Sequence, residues 1–206
     1  MRYSKDHKSE TRARIVGNAA VRLRELGAAC IGVADLMRDS GLTHGGFYAH
    51  FKSREALIDE AFLHAMGSVG ERWKQRADAA PAGEELAAIV NGYLSVRHRD
   101  DVGGGGMLPA PSHEGARGRA KTRKAFLAKL EEAIAVVADA QSHSLDRAAR
   151  AQAAGTIATM VGSLLLARAA GKGDLSSLIL EAGRDAAIAN GASSRTTRKR
   201  KPAKGN

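Results

Sequence analysis

The sequence predicts an all-α protein, with a cluster of short helices near the N-terminus and a larger set of longer helices behind it. Three observations predict this. Apolar residues recur at helical spacing, no segment alternates convincingly at period two, and glycine, serine, threonine and proline stand where helices of that period should begin and end. At 206 residues, with 44% hydrophobic and 26% charged residues, the chain is long enough to bury a real core.

The elements follow in order. Residues 10–26 carry Ile15, Ala19, Leu23 and Leu26 in one stripe, and Gly27 is placed as a C-cap. Residues 33–40 (VADLMRDS) form a short second helix ended by Gly41, and Thr43 is placed to cap a third over 44–51. Ser53, followed by Arg54 and Glu55, opens a fourth that runs through Leu57, Ala61, Phe62 and Ala65 to Trp73. Beyond Pro81, residues 84–99 read as helix. Gly103–Gly106, Pro109 and Pro111 then leave little regular helix before Gly115. Three longer helices follow over 119–140, 145–170 and 174–190, and the stretch from Gly191 (GASSRTTRKRKPAKGN) has the composition of a disordered tail.

The formal charge of +10 sits at the ends. The tail contributes six cations and no acid, and the first 26 residues hold seven Lys/Arg against three Asp/Glu, so the middle is nearly neutral. Basic ends on a neutral body fit a polyanion partner; surplus cations that only aid solubility are the plainer alternative. No apolar run approaches the ~18–20 residues of a membrane span. The opening MRYSKDHKSETRAR has no apolar core and carries Asp6 and Glu10, so a cytoplasmic protein is expected. The single cysteine, Cys30, excludes an internal disulfide and a multi-cysteine zinc site, and its apolar surroundings predict a small buried packing role rather than a redox-active thiol.

The stretch GLTHGGFYAHFKSREAL, residues 41–57, poses a contradiction. Gly45 and Gly46 lie inside a predicted helix, where each costs roughly 1 kcal/mol relative to alanine. The pattern around them has the dimensions of a helix-turn-helix: 33–40, a turn at Gly41-Leu42-Thr43, then 44–51 as the recognition helix. Glycines at the start of such a helix remove side chains that would hold its backbone off DNA. Phe47 and Phe51, four apart, supply tertiary packing in place of propensity.

These residues resemble the DNA-binding domain of the TetR/AcrR family of one-component regulators. The matching positions are Leu36, Gly41, Thr43, the run Phe47-Tyr48-Ala49-His50-Phe51, and Ser53-Arg54-Glu55-Ala56-Leu57. The resemblance implies base-edge and phosphate contacts at Thr43, His44 and Gly45. It places Tyr48 and His50 on phosphates or a base, Lys52 and Arg54 on phosphates, and Ser53 at an anion-binding helix N-terminus. Gly32 replaces the usual Ser/Thr cap, Gly46 a common polar contact residue and Lys52 a frequent proline. The domains implied are a homeodomain-like head over 1–54, linked through the helix 53–75, a ligand-binding and dimerisation domain over 55–190, and a basic tail over 191–206.

The resemblance further implies a homodimer on double-stranded DNA with a near-palindromic operator, acting as a repressor that an unidentified small molecule releases. Trp73, Tyr93, Met107, Leu108, Phe126 and Met160 are pocket candidates because they are large and apolar, with core packing as their plainer role. The helices 145–170 and 174–190 are apolar beyond one stripe, which predicts a two-fold four-helix interface using Ile157, Val161, Leu164, Leu165, Leu175, Leu178 and Ile179. Burial of the same residues in the chain's own core is the alternative. His44 and His50 lack ligand partners at metal spacing, His98 and His113 flank the glycine run and could line a pocket, with solvation as their plainer role, and no P-loop, Ser/His/Asp set or carboxylate pair is present. No metal, cofactor or catalytic role is expected. A DNA-binding dimer with no effector and a helical enzyme with a borrowed head are the rival readings.

Overall fold

A computed structural model describes residues 5–67, 69–104 and 120–198. Every regular element among them is helical: α1 (Lys5–Leu26), α2 (Val33–Asp39), α3 (Arg54–Met66), α4 (Val69–Asp78), α5 (Glu85–Tyr93), α6 (Val96–Asp100), α7 (Ala120–Ser142), α8 (Arg147–Ala169) and α9 (Asp174–Arg198), with 3₁₀ segments at Ala28–Cys30 and His44–Ala49. The chain forms two compact units. One holds residues 5–67, 102–104 and 120–129, the other 69–101 and 130–198.

In the first unit the predicted stripe of α1 is buried except at its end: Ile15, Val16, Ala19, Ala20 and Leu23 pack with Leu57, Ala61, Phe62 and Ala65 of α3, whereas Leu26, in the last turn, is exposed. Gly27 closes α1 with positive φ, its amide donating to the Leu23 carbonyl at 3.1 Å. The α1–α3 pair is clamped by the Arg12 guanidinium, which forms a two-toothed ion pair with Glu60 and lies 4.6 Å from the Phe51 ring centroid. That burial explains why α3 stays with the head although residue 54 marks the expected domain boundary. The first turns of α7 join the same unit, with Phe126 against Phe62 at 5.9 Å and the Thr122 hydroxyl donating to Asp59 at 2.8 Å.

In the second unit α8 and α9 pack as a hairpin, with α5 against α4 and α9. Its core includes Trp73, Ile89, Val90, Tyr93, Val137, Ala153, Met160, Leu164, Leu180 and Ala187. A buried amide network ties it: Gln141 and Asn190 both donate to the Thr156 hydroxyl, at 2.6 and 2.9 Å.

Several expected boundaries shift. The fourth helix stops at Met66 and Gly67, and a new helix starts at Val69, because glycine lowers helix propensity there. The expected helix 84–99 divides because Ser95 caps a fresh start, its hydroxyl accepting from the His98 amide at 3.1 Å. The last helix does not end at Asn190 but continues to Arg198. Gly191 is not a stop: a Cβ there would lie 2.1 Å from Leu86 Cδ2, so the glycine lets two helices approach closely. Cys30 is exposed rather than buried, because the short 3₁₀ turn directs Ala28 and Ile31 inward and leaves the thiol outside.

Candidate nucleic-acid interface

α2 ends in a tight turn. Gly41 has φ +71°, as the turn requires, and the Leu42 amide donates to the Met37 carbonyl at 2.8 Å. Thr43 then runs extended and leads into His44–Ala49, which is a 3₁₀ helix rather than the expected α-helix. Its bonds are short-range, Gly46 amide to Thr43 carbonyl at 3.0 Å and His50 amide to Phe47 carbonyl at 2.9 Å. Two glycines supply little drive toward the α form, and a single buried Phe47 is enough to seat the segment. The Thr43 side chain makes no cap bond, so this predicted cap is absent.

Packing sorts the side chains into two sides. Phe47 and Phe51 are buried and stack at 5.6 Å. Tyr48, 71% exposed, leans its ring edge on Phe47 at 5.3 Å. Thr43, His44, Gly45 and Lys52 are exposed with it. This outward row contains five of the eight predicted DNA-contact residues. Ser53 serves as the α3 cap, its hydroxyl accepting from the Ala56 amide at 3.2 Å.

His50 and Arg54 have other surroundings. His50 is half-buried, its Nδ1 is enclosed without a hydrogen bond, and burial, then Lys8 and Arg12, pull its pKa below the ordinary histidine value. It therefore stays uncharged near neutral pH, which weakens the expected phosphate role. Arg54 is turned onto the 3₁₀ turn behind it. Its Nε donates to the Ile31 carbonyl at 2.9 Å, and its Nη2 donates to the Ala28 and Ala29 carbonyls. The arginine thus satisfies the end of one turn and fixes α3 to it. Nothing local in the sequence signals this pairing across more than twenty residues. Arg54→Ala is expected to cost about 1–3 kcal/mol of stability, whereas Lys52→Ala leaves stability unchanged and lowers the slope of log K against log salt by about one. Thermal melts of both variants beside salt-dependent DNA titrations check the contrast.

The pocket candidates do not converge. Trp73, Tyr93 and Met160 are core residues of the second unit, with Trp73 and Tyr93 edge-to-face at 5.6 Å. Phe126 belongs to the other unit, and Met107 and Leu108 lie outside the described residues. An open groove of about 540 Å³ in the second unit is lined instead by residues that include Lys74, Asp78, Glu85, Val136, Asp139 and His143. Among the described residues no group of three His, Cys, Asp or Glu is placed to hold a metal, and no helix is long and apolar enough to cross a membrane.

The predicted dimer residues also divide. Ile157 and Leu164 are buried in their own unit, so they are unavailable to a partner; helical periodicity alone did not separate the two apolar faces of α8. Leu165, Leu175 and Leu178 are exposed, at 43, 62 and 60%, and Val161 and Ile179 are half-buried. Leu166, not among the predicted residues, is also exposed, at 62%. Ala151, Gly155 and Ala158 continue the outward stripe on α8, as Ala182 and Ala186 do on α9.

No family model matches the chain, and no curated protein matches it in sequence. Solved structures match over most of its length. A TetR transcriptional regulator from Chloroflexus aurantiacus is 24% identical with a TM-score of 0.74, covering 88% of this chain and 94% of that one. A TetR-family regulator from Streptomyces coelicolor is 17% identical with a TM-score of 0.69, covering 89% of each chain. FadR from Bacillus subtilis, crystallised with stearoyl-CoA, is 18% identical with a TM-score of 0.62, covering 86% of this chain and 98% of that one. With its N-terminal helix-turn-helix and its C-terminal helical unit, the chain has the fold of the TetR-family transcriptional regulators.

Proposed function

We propose that the protein is an operator-binding transcriptional regulator, a repressor released from DNA by a small-molecule effector. It acts in the cytoplasm as a homodimer on a near-palindromic site. The observation that carries this reading is the exposed row Thr43, His44, Gly45, Tyr48 and Lys52 on the outward side of the second helix-turn-helix element, backed by the buried pair Phe47 and Phe51. The row combines a cation and hydroxyls for phosphates with a histidine at the helix start, where base edges are met. The excess charge of the N-terminal segment adds a sequence-independent attraction. An effector is favoured over a bare DNA-binding dimer by the likeness to the stearoyl-CoA-bound FadR. An effector that prefers the state unable to bind DNA lowers operator affinity by linkage.

Selecting bound fragments from the source genome with purified protein tests the reading. Enriched fragments sharing a near-palindrome are expected. On the enriched site His44→Ala should reduce the preference over random duplex about tenfold, the loss of roughly one base contact. Enrichment without a shared sequence would leave a non-specific DNA-binding dimer in its place.

A further inference from the structure

The second unit gathers hydrogen-bond donors around a buried hydroxyl that has no acceptor. At the centre is Tyr93, 2% exposed, whose hydroxyl is enclosed and has no hydrogen-bond partner. The Trp73 ring meets it at 5.6 Å and the His98 ring at 4.7 Å, and His98 Nδ1 donates to the Tyr93 carbonyl at 2.6 Å. Arg168 reaches the same place from α8, its Nη2 donating to the His98 carbonyl at 2.7 Å and its Nε to the Arg99 carbonyl at 3.2 Å. From α4 come Arg72 and Arg76, one turn apart on one face. The Arg76 guanidinium lies against Gly92, where a Cβ would stand 2.7 Å from it, so the glycine makes room for the charge beside Tyr93.

These groups act on one another as cations. After burial and the carbonyl bond, the influences on His98 are Arg168, Arg76 and Arg72, all lowering its pKa. Burial, then Arg76, lowers Arg72, and burial lowers Arg168. Burial also holds the Tyr93 proton well above the usual phenol range, so the hydroxyl is a donor. Asp101 acts on Arg168, and Arg72 and Arg76 have no hydrogen bond or ion pair among the described residues. The Tyr93 hydroxyl and the half-buried Arg72 are thus desolvated without a compensating partner, while Arg76 beside them is exposed. An incoming anion would supply that partner.

We propose that Arg72, Arg76 and Arg168, with the Tyr93 hydroxyl, form the seat of an anionic group, a carboxylate or a phosphoryl group of an organic effector. The proposal rests on the effector-responsive reading for its biological meaning, but not for the binding itself. Guanidinium donors match both oxyanions in geometry, and the Trp73 and Tyr93 rings form an apolar wall beside them.

Trp73 is the only tryptophan, so its fluorescence reports on the seat. The full-length protein is titrated with octanoate, octyl phosphate and octanol at fixed ionic strength, with melting temperature as a second readout. At least one of the anions is expected to change the fluorescence and raise the melting temperature, and octanol to do neither; whichever anion acts identifies the headgroup. Arg72→Gln with Arg76→Gln, on a solvent-facing helix, is expected to weaken anion binding at least about tenfold. Tyr93→Phe, which keeps the ring, should weaken it severalfold, and Lys124→Gln, exposed on the other unit, should leave it unchanged. An octanol response equal to the anions', wild-type anion binding in the double Gln variant, or no response to either anion up to about 10 mM would overturn the seat. Anion binding that leaves operator affinity unchanged would support the seat while removing its role as an effector site.

Discussion

Leu165→Glu combined with Leu178→Glu is expected to give a folded monomer that has lost operator binding. Both side chains are exposed in the isolated chain, at 43 and 60%, so a carboxylate at either position meets water and costs the fold little. In a two-fold four-helix interface the same substitutions place four carboxylates in an apolar contact, at several kcal/mol for each ion without a partner. Dimerisation is then lost, and with it the simultaneous grip on two half-sites, which is worth about 10²–10⁴ in affinity. Sedimentation of the variant, followed by titration on the selected operator, measures both effects. Ile157→Ala serves as contrast: it lies in the unit's own core and should lower thermal stability by about 2–5 kcal/mol without changing assembly except through unfolding. A folded double variant that sediments as the wild type does would place the interface elsewhere.

Much of the fold was legible because local signals and burial agree. Gly27 and Gly41 end helices with positive φ, Ser53 caps α3, and the stripe of Ile15, Ala19 and Leu23 is the core face of α1. Where local and tertiary demands part, the sequence misleads. Gly191 reads as a stop because glycine is a poor helix former, yet close packing on Leu86 is what selects it. The apolar breadth of α8 signals burial on more than one side, but only packing tells that Ile157 and Leu164 face inward while Leu165 and Leu166 face out. The site divides in the same way. Exposed Tyr48 beside buried Phe47 follows from their spacing, whereas Arg54 on the Ala28–Ile31 carbonyls and the gathering of Arg72, Arg76 and Arg168 around Tyr93 depend on partners far apart in sequence.

Gly45→Ala is expected to move stability and DNA affinity in opposite directions. A Cβ built at Gly45 meets nothing within 4 Å, and the residue is exposed. Its φ is not among the positive ones, so neither backbone conformation nor internal packing demands glycine. Alanine should therefore stabilise the 3₁₀ helix His44–Ala49, by up to about 1 kcal/mol, through better propensity and a less flexible unfolded chain. A glycine that the fold does not need, at the start of an element presented outward, makes sense if something outside the protein needs the room. In the proposed complex that something is the DNA backbone or a base edge in a groove ~12 Å wide. A methyl group there holds the helix off the duplex and lengthens the hydrogen bonds that His44 and Tyr48 would make. The expected loss of operator affinity is about 10–100-fold, the scale of one or two good contacts. Because the variant melts no lower than the wild type, unfolding of the head cannot account for that loss. Tyr48→Phe removes only a hydroxyl and should lower affinity modestly and equally on operator and random duplex, as a phosphate contact would. Undiminished operator affinity in Gly45→Ala, measured at the same salt, would show that the duplex does not approach this end of the helix, and the exposed row would lose its claim to be the reading head.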